Sequence, residues 1–145
     1  MAVAQKLEEL VAWQLSTRLR NAVIDRSGSW RTRDTKLFDQ IRDSARSAPR
    51  NLAEGFGRFK PREFAHFARI ARGSLLETLN HLEEALRCDY IQSEEAQLLL
   101  RLNKRALKAT TMLVKYLDSC KGKAPTGWDV AEEQTSGPAK KRSNR

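Results

Sequence analysis

Ser44–Arg58 reads SARSAPRNLAEGFGR, and the treatment of Pro49 within it decides the fold. Ala45, Ala48 and Leu52 recur at helical spacing. Beside them runs a polar line, Ser44, Ser47, Asn51, Glu54 and Arg58, so two faces of one helix lie side by side. A proline in a helix interior removes one backbone hydrogen bond and crowds the carbonyl four residues earlier, here that of Ala45, at a cost of roughly 3 kcal/mol. Two readings stand. Either one helix bends at Pro49, or a helix ends near Ala48 and a short one begins at Pro49, where proline fits as a first residue. Gly55 and Gly57 are expected to end the segment. Downstream, Arg69–Glu77 (RIARGSLLE) carries Gly73 and Ser74 in mid-helix. A glycine there costs about 1 kcal/mol against alanine, so a packing reason is expected. The small Ser44, Ser47 and Ala48 are the candidates for approaching Gly73 closely.

Working outward, Leu7, Leu10, Val11, Leu15, Leu19, Ala22 and Val23 mark a first helix over 5–25. Trp13 lies off the centre of that stripe, which points it toward a neighbouring subunit. Residues 26–33 (RSGSWRTR) read as a polar loop. Asp34 or Thr35 caps a second helix on Leu37, Ile41, Ala45, Ala48 and Leu52. Pro61 opens a third, whose face is Phe64, Phe67, Ala68, Ala71, Leu75, Leu79, Leu82 and Leu86. Ser93 caps a fourth, with Glu94 and Glu95 favourably placed at its positive end. Leu99, Leu102, Ala106, Ala109, Leu113, Tyr116 and Leu117 form its stripe, and Gly122 closes it. The expected architecture is all-α, an up-down-up-down four-helix bundle over 1–120. Residues 121–145 lose all periodicity and read as a basic, mostly disordered tail in which Trp128 docks locally.

The 145 residues carry a formal net charge of +9, which suggests an anionic partner such as RNA or DNA. Antiparallel helices place the 2–3 turn, the start of helix 1 and the end of helix 4 at one pole. Arg58, Lys60, Arg62, Arg69, Arg72, Arg105, Lys108 and Lys115 gather in that half. Arg101, Lys104, Arg105, Lys108 and Lys115 make a basic line along helix 4, where no acidic residue occurs between Ala96 and Leu117. Phe56 and Phe59 interleave with Arg58, Lys60 and Arg62, a mixture that can stack bases and hold phosphates. The plainer reading is that both rings plug the bundle end or a subunit contact.

Catalytic and metal chemistry find little footing, and no cofactor is expected. Glu63 and His66 form a Glu-x-x-His, but His81 sits on the same helix, whereas a di-metal bundle needs that pair on two helices. Ser74 follows Gly73 inside a helix and not on a strained strand-to-helix turn. Cys88 and Cys120 have no metal-ligand spacing. Neither a secretory leader nor an apolar run of about 20 residues is present, so the expected location is cytoplasmic, with no membrane association. Asn51 and Glu54 are read as members of a hydrogen-bond network fixing the helix 2–3 contact or a subunit interface. Glu54 would pair there with Arg50, Arg58, Arg69 or Arg72.

Ser47-Ala48-Pro49-Arg50-Asn51-Leu52-Ala53-Glu54-Gly55, then Gly57-Arg58, Glu63-Phe64, Phe67 and Ile70-Ala71-Arg72-Gly73-Ser74-Leu75 with Glu77, resembles a known family. It is the four-helix-bundle family named for the protein encoded in the intervening sequence of 23S ribosomal RNA genes. The family pattern is close to S-I-P-x-N-I-A-E-G, then G-R, then G-S-L-x-E. Ala48 and Leu52 stand where isoleucine is commoner, and Lys60 where a small capping residue is usual. The likeness spans about residues 7–119 and makes Pro49, Asn51, Glu54, Gly55, Gly73, Ser74 and Glu77 the structural motif. It implies a small cytosolic bacterial bundle assembling into a ring-like homopentamer, and no enzyme. A related bundle, the accessory variability determinant of diversity-generating retroelements, resembles a basic barrel that binds nucleic acid and a reverse transcriptase. The resulting expectation is a non-enzymatic ring binding RNA or DNA through its basic pole and helix 4. The alternative is a protein-interaction scaffold or an accessory subunit, for example of a reverse transcriptase.

Overall fold

A computed structural model of the chain describes residues 4–120. Four helices follow one another: α1 (Val11–Ser27), α2 (Thr35–Phe56), α3 (Pro61–Arg87) and α4 (Ser93–Ser119). Single 3-10 turns, Leu7–Glu9 and Gly28–Trp30, flank α1. No strand occurs among the described residues. Each helix packs on the next, and α4 returns to α1, closing a four-helix bundle. The segments 57–60 and 88–92 are too short to let the helices they join run parallel. Gly122, Trp128 and the whole 121–145 tail lie outside the described residues.

Several boundaries follow from local chemistry. Asp34 caps α2, its Oδ1 accepting the Leu37 N–H at 2.9 Å. Pro61 is the first residue of α3. The expected cap at Ser93 is not made: Gln92 occupies the cap position with no side-chain bond, and Ser93 is already helical. The expected first helix over 5–25 also differs, because extended backbone at Lys6 and Leu10 isolates Leu7–Glu9 as a 3-10 turn. Trp13 is half-buried against the core.

Pro49 lies buried inside an uninterrupted α2, so the reading with a break near Ala48 is wrong. Gly55 does not stop that helix either; it sits in the last turn, and Gly57 is the C-cap. The contact between α2 and α3 is a hydroxyl ladder. Ser44 Oγ lies 2.8 Å from Thr78 Oγ1, and Ser74 Oγ donates to Ser47 Oγ at 2.7 Å. Asn51 Nδ2 donates to the Ser47 carbonyl at 2.8 Å and to Ser47 Oγ at 3.0 Å, locking the acceptor hydroxyl. Small hydroxyl side chains let two helices approach while satisfying their own polar atoms.

The two motif glycines have opposite roles. An added Cβ at Gly55 would lie 2.6 Å from Phe64 Cδ2 and 2.8 Å from Phe67 Cβ, so Gly55 is where α3 comes close. An added Cβ at Gly73 would meet nothing within 4 Å, which overturns the expected approach of Ser44, Ser47 and Ala48. Gly73 is rotated to the exposed side, and the neighbouring Ser74 makes the contact. Gly73→Ala is therefore expected to stabilise the chain by about 0.5–1 kcal/mol, because alanine restricts the unfolded chain and favours helix. Urea denaturation checks it; destabilisation would mean that a partner lies against Gly73.

Trp30, read as part of a polar loop, is 1% exposed and among the largest fully buried side chains. The 3-10 turn after α1 folds it inward, with its ring centroid 6.5 Å from that of Tyr90. On α4 the buried line is Leu99, Asn103, Ala106, Thr110, Val114 and Leu117. Leu102, Ala109, Leu113 and Tyr116 of the expected stripe are half-buried. Two buried polar residues disguise that line in the sequence. Asn103 donates Nδ2 to the Leu75 carbonyl at 3.0 Å, and Thr110 donates to the Ala106 carbonyl at 2.7 Å.

Candidate nucleic-acid interface

A cation is available to a ligand only when no protein group already holds it. Arg58 donates Nε and Nη2 to Glu54 Oε1 at 3.1 and 2.8 Å, and its guanidinium sits 5.4 Å from the Phe67 ring centre. Of the partners weighed for Glu54, Arg58 is thus the one observed. Arg69 pairs with Asp118 across α3 and α4 at 2.5 Å. Arg33 lies over Tyr90 and Arg42 over Phe38, at 4.8 and 4.7 Å. Phe56 is half-buried and packs edge-on against buried Phe64 with ring centroids 6.1 Å apart, so the turn's aromatics serve the bundle end. Lys60 and Arg62 are exposed at the start of α3, and Arg72 is half-buried.

A different set of arginines comes together on the α1–α4 side. Arg18 and Arg26 from α1 face Arg101 and Arg105 from α4 across an open groove of about 470 Å³. Ala22, Leu98 and Leu102 supply its apolar lining. Among the described residues none of the four arginines has a carboxylate, a hydrogen-bond acceptor or a ring as partner. Lys104, Lys108 and Lys115 are exposed on α4. Four guanidiniums around one groove hold mutual repulsion that a polyanion would relieve, and each offers a fork of donors suited to phosphate.

Of the cations singled out in the sequence, the structure thus brings Arg101 and Arg105 into one groove, while Arg58 and Arg69 are engaged in ion pairs elsewhere. Arg18 and Arg26 were missed. Their signal was present: Arg18, Ala22 and Arg26 step by four along one helical face.

Two further concavities lie elsewhere on the bundle. An apolar one of about 320 Å³, with Leu10, Val11, Met112 and Tyr116 among its walls, occupies the other end of the α1–α4 face. A larger one of about 750 Å³ opens between α2 and α3 over Ser47, Gly73 and Ser74. Its charges are mixed, with Asp43 and Glu77 beside Arg50, so it presents no uniform field to a polyanion. Desolvation raises the Tyr116 phenol above its ordinary value, with Cys120 adding to the shift. Desolvation likewise raises Tyr90, whose hydroxyl donates to Asp34 Oδ2 at 3.2 Å. Both phenols thus stay protonated at neutral pH and add no negative charge. Among the described residues no group of three or more His, Cys, Asp or Glu could hold a metal ion. No described helix is long and apolar enough to cross a membrane.

A family profile described as 23S rRNA-intervening sequence protein matches residues 8–112. Among solved structures, the chain is similar to a protein described as of unknown function, from the S23 ribosomal protein family of Bacteroides thetaiotaomicron VPI-5482. The TM-score is 0.68 at 20% identity, covering 72% of this chain and 99% of that one. At that identity the likeness speaks for the fold, not for a function. No curated protein matches this chain.

Proposed function

This chain belongs to the family of 23S rRNA-intervening sequence proteins, and we propose that it is a non-enzymatic, oligomeric bundle that binds RNA or DNA along its α1–α4 face. The observation that carries this reading is the set of four unpartnered arginines around one groove. The surplus of cations continues along α4 through Lys104, Lys108 and Lys115, and the chain as a whole is at +9. Relative to the basic pole first inferred from the helix order, the weight moves up α1 and α4, away from the ion-paired Arg58 and Arg69.

A salt titration of binding to a mixed RNA and DNA pool tests it. Four phosphate contacts predict a log–log slope of about −3 on single strands and somewhat steeper on duplex. Absent binding at low salt, or a flat slope, would reject the reading in favour of a protein-interaction scaffold, such as an accessory subunit of a reverse transcriptase.

The proposed assembly is a ring, pentameric by family resemblance. In its support, large apolar side chains are exposed in separate places: Ile70 and Leu76 on α3, and Val11 with Met112 together on the α1–α4 face. A contact between two unlike faces generates a ring when its rotation closes. Five copies of the groove would then turn modest phosphate contacts into avidity. Mass measurement in solution is expected to give an oligomer, and a monomer at micromolar concentration would reject the ring.

A further inference from the structure

We propose that the arginine groove takes one unpaired polynucleotide strand and not a duplex, an inference that rests on the nucleic-acid reading above. The groove combines two kinds of surface with different demands. Its rims are the guanidiniums of Arg18, Arg26, Arg101 and Arg105, and its apolar lining is Ala22, Leu98 and Leu102. The rims suit phosphates from any polynucleotide. The lining does not: a duplex keeps its base faces stacked inside and turns sugar and phosphate outward, which leaves apolar wall against polar backbone. A single strand can lay base faces on that wall and on the guanidinium planes.

Leu98 is the sharpest indicator. It is 43% exposed, a large apolar side chain held at the surface in the same groove as the arginines. Scattered exposed leucines need no explanation. One that lines the same groove as four unpartnered cations forms an amphipathic surface, and a base carries the same pairing of apolar face and nearby charge. The dimensions agree. Arg18 and Arg26 stand eight residues apart, about 12 Å along α1, and Arg101 and Arg105 about 6 Å along α4. The axes of packed helices lie about 8–10 Å apart. At that spacing the two helices touch, so the groove is a shallow furrow along their shared surface; a strand can lie along it with its bases on the apolar lining, whereas a duplex meets the cations and leaves that lining uncovered.

The test is fluorescence anisotropy on the full chain with labelled, unstructured RNA and DNA strands of about 15 nucleotides and their matching duplexes. Either strand binding at least about tenfold tighter than its duplex supports the proposal, and the RNA and DNA arms separate the two sources of that chemistry. Leu98→Ser, at an exposed position where circular dichroism should stay unchanged, is expected to weaken strand binding about tenfold and to leave duplex binding within about twofold. Duplex binding as tight as strand binding, or a Leu98→Ser variant that binds strands normally, would overturn the proposal while leaving the nucleic-acid reading intact. Failure of every probe at low salt would overturn that reading and this inference with it.

Discussion

Alanine at Gly55 is expected to destabilise the bundle by about 3 kcal/mol, a large share of what holds a small domain together. The new methyl carbon would stand 2.6 Å from Phe64 Cδ2 and 3.3 Å from Phe64 Cα. The ring cannot swing away freely, since Phe64 is 1% exposed and packed edge-on by Phe56. Nor can the Cα move without shifting the first turns of α3. The strain outweighs the roughly 1 kcal/mol that alanine contributes to helix propensity. Chemical denaturation of Gly55→Ala and Gly73→Ala in parallel is the measurement, and the two are expected to change stability in opposite directions. A Gly55→Ala change below about 1 kcal/mol would mean that the end of α2 yields to α3.

Reversing Arg18, Arg101 and Arg105 together to glutamate is expected to lower nucleic-acid affinity by about a thousandfold or more at low salt. Three contacts are lost and three repulsions introduced, and the salt slope should fall by about one unit per lost contact. The fold is expected to survive, because these side chains are exposed and make no ion pair among the described residues. The control is the double reversal of Arg58 and Arg69. Their guanidiniums are held by Glu54 and Asp118 in half-exposed pairs, which contribute little to stability and release little charge to a ligand. A control that weakens binding as much as the triple variant would return the site to the pole at the α2–α3 turn.

The helices were legible in the sequence because their determinants are local. Asp34 caps α2 three residues before the amide it binds, and Pro61 starts α3 where its missing N–H costs nothing. The repeat of Leu37, Ile41, Ala45, Ala48 and Leu52 survives Pro49 because that face is buried throughout, and burial outweighs one lost backbone bond. The motif residues could likewise be recognised as a family signature, and the profile match over residues 8–112 agrees.

Other features could not be read so, since each depends on the rotation of one helix against another. Gly55 and Gly73 look alike in sequence, yet a shift of one position around α3 decides that Phe64 presses on the first and open space faces the second. Trp30 looked like a loop residue because its neighbours are polar; only the turn after α1 brings it inward. Arg18 and Arg26 lie some eighty residues from Arg101 and Arg105 and share a groove solely because α4 closes back on α1. The sequence by itself determined that the chain is a basic bundle of four amphipathic helices, through caps, periodicity and charge, which act within a few residues. The tertiary structure decided which glycine is a contact and which cations are free, because steric fit and ion pairing act between side chains that only packing makes neighbours.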